Sequence, residues 1–444
     1  MKKILISCLI IVSILLLSLK LIKPIFEKQN VTGTIIYKDN NYITIQDENN
    51  IIYTFKGDSI KENIGSIINI EYNGNLNKNT QYQDIEIIDY NLLTKTDNEI
   101  PIYWLDNGLF SDFYAKAYEK LKTLSLDEKI GQLFLVRLPD YHASEILKKY
   151  QFGGYLFFQK DFADKTQNEV KSMIHDLQQA SNIPLLTAVD EEGGKVTRIS
   201  NNSNLVNSKF KSPRELYLSG GLDAIQKDTI NKSKILYNLG LNLNLAPVVD
   251  VSTNPDDYIY ERTLGEDAQT TSKYSETVIK ASKQTNLSYT LKHFPGYGNN
   301  KDTHNQSSID TRTYQELIEN DLLPFKTGIE AGAEAVMVSH NIVEAIDADH
   351  PASLSSSIHN LLRNELNFTG IIITDDLDMG AISKNKNAAL EAILAGNDLI
   401  ITTDYEHSIN SIKQALNDNI ISVELIDKLV LRIIAWKYYK NLIT

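Results

Sequence analysis

Gly370-Ile371-Ile372-Ile373-Thr374-Asp375-Asp376-Leu377-Asp378-Met379 opens on a β-branched run and then sets down three acids. A short apolar run of this kind reads as a fully buried strand, and the acids stand where the strand hands the chain to the next loop. A carboxylate at the top of a barrel strand is well placed to act as a nucleophile, whereas calcium binding needs more oxygen ligands at loop spacing. Helix N-capping is the bland alternative, and it suits Asp376 and Asp378 better than Asp375, which lies nearest the strand.

Working outward, the chain beyond Phe113 repeats this texture: apolar runs of four to eight residues separated by helical stretches, the pattern of parallel strands in an α/β protein. Eight candidate strands can be placed, at 132–136, 154–158, 185–189, 243–249, 288–291, 335–338, 370–373 and 398–401. Several end at once in a polar residue: Arg137, Gln159, Asp190, Asp250, Lys292 with His293, Ser339 with His340, Thr374 with Asp375, and Thr402. In a TIM-type (β/α)8 barrel the C-terminal strand ends form one rim, so residues far apart in sequence converge on one pocket. A doubly wound open sheet would need a Gly-rich phosphate loop, and G-x-G-x-x-G does not occur.

The rest of the chain reads differently. Lys2 and Lys3 precede an apolar run over 4–19, and the flank Leu19-Lys20-Leu21-Ile22-Lys23-Pro24 lacks the small residues of a cleavage site. Residues 1–24 are therefore expected to form an uncleaved signal anchor at the cell membrane with the catalytic part outside, the alternative being a cleaved signal and secretion. Leu5-Ile6-Ser7-Cys8 has the look of a lipoprotein box, but its apolar stretch follows Cys8, which argues against lipidation. From 30 to 93 short period-two runs are punctuated by Asn and Asp, the signature of a small all-β unit, a five- or six-stranded barrel, whose simplest role is a spacer or interaction module. A polar linker is expected over 94–112 and the catalytic barrel over 113–444.

Composition bounds the function. The 444 residues are 42% hydrophobic and 23% charged, an ordinary globular balance, with a formal net charge of −13. That charge, and the lack of any Lys/Arg run, argue against a nucleic-acid partner and suit a neutral or weakly charged substrate. Cys8 is the only cysteine, so no intrachain disulfide can form, and neither zinc-type Cys/His spacing nor H-E-x-x-H is present.

Three further motifs carry chemistry. Asp190-Glu191-Glu192-Gly193-Gly194-Lys195-Val196-Thr197-Arg198 follows an apolar strand, and its glycines allow the backbone to approach a ligand while the strand-end carboxylate accepts from sugar hydroxyls. An acidic helix start explains the local pattern equally well. Leu291-Lys292-His293-Phe294-Pro295-Gly296-Tyr297-Gly298 puts Lys and His side by side at a strand end, where both can donate to vicinal hydroxyls. Asp302-Thr303-His304 lies in a polar loop, where residues at i and i+2 project together and the carboxylate raises the imidazole pKa, making a proton shuttle. A solvated loop with an incidental Asp and His is the plain alternative.

Together these motifs resemble glycoside hydrolase family 3, in its bacterial β-N-acetylglucosaminidase branch, over about 124–438. The nucleophile signature is matched from Leu361-Leu362-Arg363-Asn364-Glu365 through Gly370 to Thr374-Asp375 and Asp378. The resemblance implies that Asp375 attacks the anomeric carbon and that His304, backed by Asp302, serves as general acid and then base. It assigns substrate contacts to Asp190, Arg198, Arg262, Lys292 and His293, and less firmly to Asp250 and His340. This sequence departs from the family at Tyr297, where relatives commonly carry His, and at Thr263-Leu264, where they carry Ser-Phe; both bear on the acceptor side. The family's second domain, present in many longer members, is not expected.

The implied reaction is a double displacement with retention, needing no metal or organic cofactor and acting on a glycan that contains N-acetylglucosamine, with cell-wall (peptidoglycan) fragments as the expected source. A β-glucosidase, a xylosidase or a glycoside phosphorylase of the same family remains the enzymatic alternative, and an inactive glycan-binding protein the alternative of another class.

Overall fold

The computed structural model describes residues 28–38, 42–47, 51–56, 60–62, 65–78, 85–94, 100–298, 300 and 308–443. The expected anchor at 1–24 and the Asp302/His304 pair lie outside them. No helix among the described residues is long and apolar enough to cross a membrane. The chain divides after Asp106 into two units.

In the first unit the period-two runs become five antiparallel strands, β1 (Gln29–Lys38), β2 (Tyr42–Gln46), β3 (Ile52–Lys56), β4 (Ile67–Tyr72) and β5 (Ile87–Thr94), ordered β3-β2-β1-β4-β5. Ile35, Ile43, Ile45, Phe55, Ile68 and Ile70 are buried together as its core. The two outer strands approach each other where Lys56 bridges Glu86.

The second unit is a ring of eight parallel strands: β6 (Phe134–Arg137), β7 (Gly154–Phe157), β8 (Leu186–Val189), β9 (Leu243–Asn244), β10 (Ser288–Phe294), β12 (Ala335–Val338), β14 (Ile371–Thr374) and β15 (Ile400–Thr402). Sequence neighbours pair around the ring and β15 pairs with β6. The remaining gap, between β14 and β15, is crossed by Thr374 N–H to the Leu399 carbonyl at 3.0 Å and Leu399 N–H to Ile372 at 3.1 Å, so the barrel is nearly closed. A small parallel pair, β11 (Ile309–Asp310) with β13 (Ile342–Val343), lies outside it.

Helices start where the sequence places S/T-x-x-E: Ser125 with Glu128, Thr166 with Glu169, Ser212 with Glu215 and Thr313 with Glu316 all form reciprocal capping boxes. The second unit begins before the expected start of the barrel, since Phe110 is fully buried 5.4 Å from the Tyr439 ring. Most strands lie within a residue or two of the sequence reading, but two differ in length by three residues or more. β9 stops at Asn244 rather than running to 249, because Pro247 has no N–H to give to a ladder. β10 instead runs on through Lys292 and His293 to Phe294, with a register irregularity against β12 between Leu291 and Phe294.

The end of the barrel where the strands begin is held by buried polar groups. Asp398 accepts from Arg363 and Arg432, both at 2.6 Å, and from the Ile372 N–H at 2.8 Å. Lys437, fully buried, donates to Gln132 Oε1 at 2.7 Å and to the Gly153 carbonyl at 2.9 Å.

Candidate active site

At the opposite end, where the strands finish, a cavity of about 350 Å³ is lined by six residues singled out from the sequence: Asp190, Arg198, Arg262, Lys292, His293 and Asp375. They arrive from four places in the chain. Asp190 follows β8, Arg198 sits on the loop after it, Arg262 closes a short turn over Tyr260–Arg262, Lys292 and His293 belong to β10, and Asp375 follows β14. Consecutive residues of a regular strand face opposite sides. The irregularity in β10 lets both Lys292 and His293 reach the cavity.

Lys292 is buried between two carboxylates, with Nζ 2.8 Å from Asp190 Oδ1 and 2.7 Å from Glu192 Oε1. Burial alone would lower its pKa, but Asp190 and Glu192 carry it above the ordinary lysine value. Glu192 is the hub: Arg262 grips it with Nε at 3.0 Å and Nη2 at 2.8 Å. Burial would push its carboxyl up, yet Arg262 and Lys292 hold it well below the usual range. It therefore stays ionised, and both cations are fixed in direction.

His293 is oriented from both sides. Its Nδ1 lies 2.8 Å from Asp250 Oδ2 and its Nε2 3.2 Å from Arg262 Nη2. A guanidinium can only donate, so Nε2 accepts and Nδ1 carries the hydrogen. Asp250 also accepts from the backbone N–H groups of His293 at 3.1 Å and Tyr297 at 2.7 Å. It is buried behind the wall and does not line the cavity, so its part is to hold the β10 end in place.

Asp375 is half-buried, and its carboxylate accepts a single hydrogen bond among the described residues, from the Asp376 N–H at 2.8 Å. Burial raises its pKa, but nearby His340, His293 and Lys292, with that N–H, bring it below the ordinary aspartate value. Asp376, next in sequence, is engaged by Arg137, and burial pushes it up to about 6 in spite of that partner. Asp378 turns away to the Thr402 hydroxyl and the Thr403 N–H.

His340, also raised by the sequence, does not reach the cavity. It is fully buried, with Nε2 2.9 Å from the Asp376 carbonyl and Nδ1 2.8 Å from Ser353 Oγ, so it braces the turn carrying Asp375. A carbonyl only accepts, which places a hydrogen on Nε2.

Sequence reasoning passed over several cavity residues. Glu192 was visible only as one acid of three. Arg137 was noted as a strand end without a role, and its guanidinium lies 4.8 Å from the Phe158 ring centre, with that of Arg198 at 5.2 Å. Tyr258 at the rim packs 5.8 Å from Tyr297, which in turn meets the His293 ring edge-on at 5.5 Å. Lys195 and Glu261 pair across the cavity wall.

Chemically the cavity combines one lightly bonded carboxylate with fixed donors and acceptors suited to hydroxyl groups. Among the described residues no group of three or more His, Cys, Asp or Glu could hold a metal ion.

The family model described as glycosyl hydrolase family 3 N terminal domain matches residues 125–436. A protein named beta-hexosaminidase LpqI from Mycobacterium tuberculosis is 28% identical over 328 residues, covering 71% of this chain and 83% of its own. A beta-hexosaminidase from Stenotrophomonas maltophilia is 34% identical over 234 residues, 52% of this chain and 68% of its own. Among solved structures, a glycoside hydrolase family 3 beta-N-acetylglucosaminidase from a Paenibacillus species superposes with a TM-score of 0.68 at 30% identity, covering 72% of this chain and 63% of that one.

Proposed function

The chain belongs to glycosyl hydrolase family 3, and on that footing we propose that it is a retaining β-N-acetylglucosaminidase with Asp375 as nucleophile. The observation that carries the reading is the contrast among the cavity carboxylates. Asp190, Glu192 and Asp376 each face a cation, while Asp375 meets only one backbone N–H among the described residues and faces the same space as Lys292 and His293. A nucleophile needs an oxygen that is ionised yet not tied up.

In this reading Lys292, His293, Asp190, Arg198 and Arg262 orient the non-reducing sugar, and Asp375 attacks its anomeric carbon. His304, with Asp302 behind it, gives its proton to the leaving oxygen and then takes one from the water that releases the sugar. Two displacements retain configuration. The amino sugar is supported by the named relatives above, at modest identity. With residues 1–24 as an export anchor and residues 30–93 as a spacer, the barrel would work outside the cytoplasmic membrane on N-acetylglucosamine-containing wall fragments.

The test is hydrolysis of aryl β-N-acetylglucosaminides by the wild type, Asp375→Ala and His304→Ala. Asp375→Ala should abolish turnover. His304→Ala should lose about a hundredfold or more with a poor leaving group and far less with an activated one, since only the first needs a proton donor. Cleavage of aryl glucosides or xylosides in place of the N-acetylglucosaminide would sink the substrate assignment. Formation of a sugar 1-phosphate on adding inorganic phosphate would make the enzyme a phosphorylase.

A further inference from the structure

The helical segment Pro213–Asn238, broken by a kink at Gly220 and Gly221, passes behind the cavity and after the kink buries Thr229, Lys232 and Ser233, none of which the mechanism above uses. A buried ammonium is costly unless it is paired and hydrogen-bonded. Lys232 Nζ is 3.1 Å from Asp228 Oδ2, one turn back on the helix, and donates at 3.1 Å to the backbone carbonyl of Glu192. It also lies 5.1 Å from the centre of the Phe210 ring, whose backbone carbonyl accepts from the Gly194 N–H at 2.9 Å.

The turn over 191–194 is thus gripped at three points. Glu191 anchors it through its carboxylate, which accepts from the N–H groups of Arg198 at 2.8 Å and Ile199 at 2.7 Å and from Ser200 Oγ at 2.5 Å. Phe210 holds the Gly194 N–H, and Lys232 holds the Glu192 carbonyl between them. On the other side of that one residue, the Glu192 side chain meets Arg262 and Lys292.

We propose that Lys232, held by Asp228, is a positioning residue for sugar binding: it fixes the backbone of Glu192 so that the carboxylate of Glu192 can aim Arg262 and Lys292 at the substrate. The inference rests on the reading of this cavity as the site of the non-reducing sugar. Because the cluster would hold hydroxyls that do not react, its loosening weakens ground state and transition state alike, and the loss falls on binding rather than on turnover.

The experiment compares full-length wild type, Lys232→Met and Asp228→Asn for kcat and KM on an aryl β-N-acetylglucosaminide, for inhibition by free N-acetylglucosamine, and for melting temperature. Lys232→Met should raise KM and the inhibition constant together by about tenfold, with kcat within about threefold of wild type. Asp228→Asn, which keeps the side-chain size, should move both constants the same way by about threefold. A drop in melting temperature with both constants unchanged overturns the proposal, since a merely structural lysine would do that. Should Lys232→Met not fold, Asp228→Asn decides alone. A wild type that neither cleaves nor binds the amino sugar overturns the underlying reading, and the inference with it.

Discussion

Replacing Glu192 by Gln removes one negative charge from the point where Arg262 and Lys292 meet, at almost constant volume. The carboxylate takes three donors, Arg262 Nε at 3.0 Å, Arg262 Nη2 at 2.8 Å and Lys292 Nζ at 2.7 Å. The amide has one oxygen for them and turns an NH2 toward a cation. Removing one partner of a buried ion pair costs about 3–5 kcal/mol. Asp190, still 2.8 Å from Lys292, offsets part of this. A loss of about 2–4 kcal/mol in transition-state stabilisation corresponds to a fall in kcat/KM of roughly thirtyfold to a thousandfold. The pH profile supplies a second readout. Glu192 and Asp190 hold the Lys292 pKa above its ordinary value against burial, so deleting one acid lets burial draw it down. Activity that needs charged Lys292 is then lost at lower pH on the alkaline side. The assay is kcat/KM for an aryl β-N-acetylglucosaminide from about pH 6 to 11. A variant within about threefold of wild type, with an unmoved alkaline limb, would refute the role given to Glu192.

Two further substitutions test the frame around the site. Gly193 has φ +103°, and a Cβ there would stand 2.1 Å from the Lys211 carbonyl oxygen, so Gly193→Ala should destabilise the barrel by about 2–5 kcal/mol, read by urea unfolding. Unchanged stability would mean that the turn has freedom the geometry denies. At the other end of the barrel, burial lowers the Lys437 pKa from 10.5 to about 7. An unfolded chain then holds a proton that the folded one lacks between those values, so stability rises with pH across that window. Wild type should gain up to about 2 kcal/mol on Lys437→Met between pH 7 and pH 9. Unfolding curves for the two that shift in parallel over this range would show that the ammonium remains charged inside.

What the sequence disclosed depended on how local the cause was. β14 and β12 are β-branched or apolar runs between turn residues, and their placement needs nothing beyond their own residues. The length of β9 was misjudged because Pro247 interrupts an otherwise apolar run, and the missing N–H outweighs hydrophobicity. For β10 the apolar run ends at Leu291, whereas pairing carries the strand on to Phe294, an effect set by neighbouring strands that no window along one segment contains. Glu192 illustrates the same limit within the site: its partners lie 70 positions away at Arg262 and 100 at Lys292, so among three successive acids only the folded chain distinguishes it.

The two ends of the barrel show why residue type alone does not assign a role. Both ends bury aspartates beside cations. Asp398 at one end spends its carboxylate on two arginines and a backbone N–H, an arrangement that knits β14 to β15 and leaves little for a ligand. Asp375, at the other end of the same strand, stands among His340, His293 and Lys292 but is hydrogen-bonded to none of them among the described residues. Among the described residues its one short contact comes from the following N–H. On the proposal made above, the reactive carboxylate is the one that leaves hydrogen bonds unmade among the described residues. By that measure Asp190, Glu192 and Asp376, all in the same cavity, are each committed to a cation already, and among the described residues Asp375 is the one of these four carboxylates with an oxygen to spare.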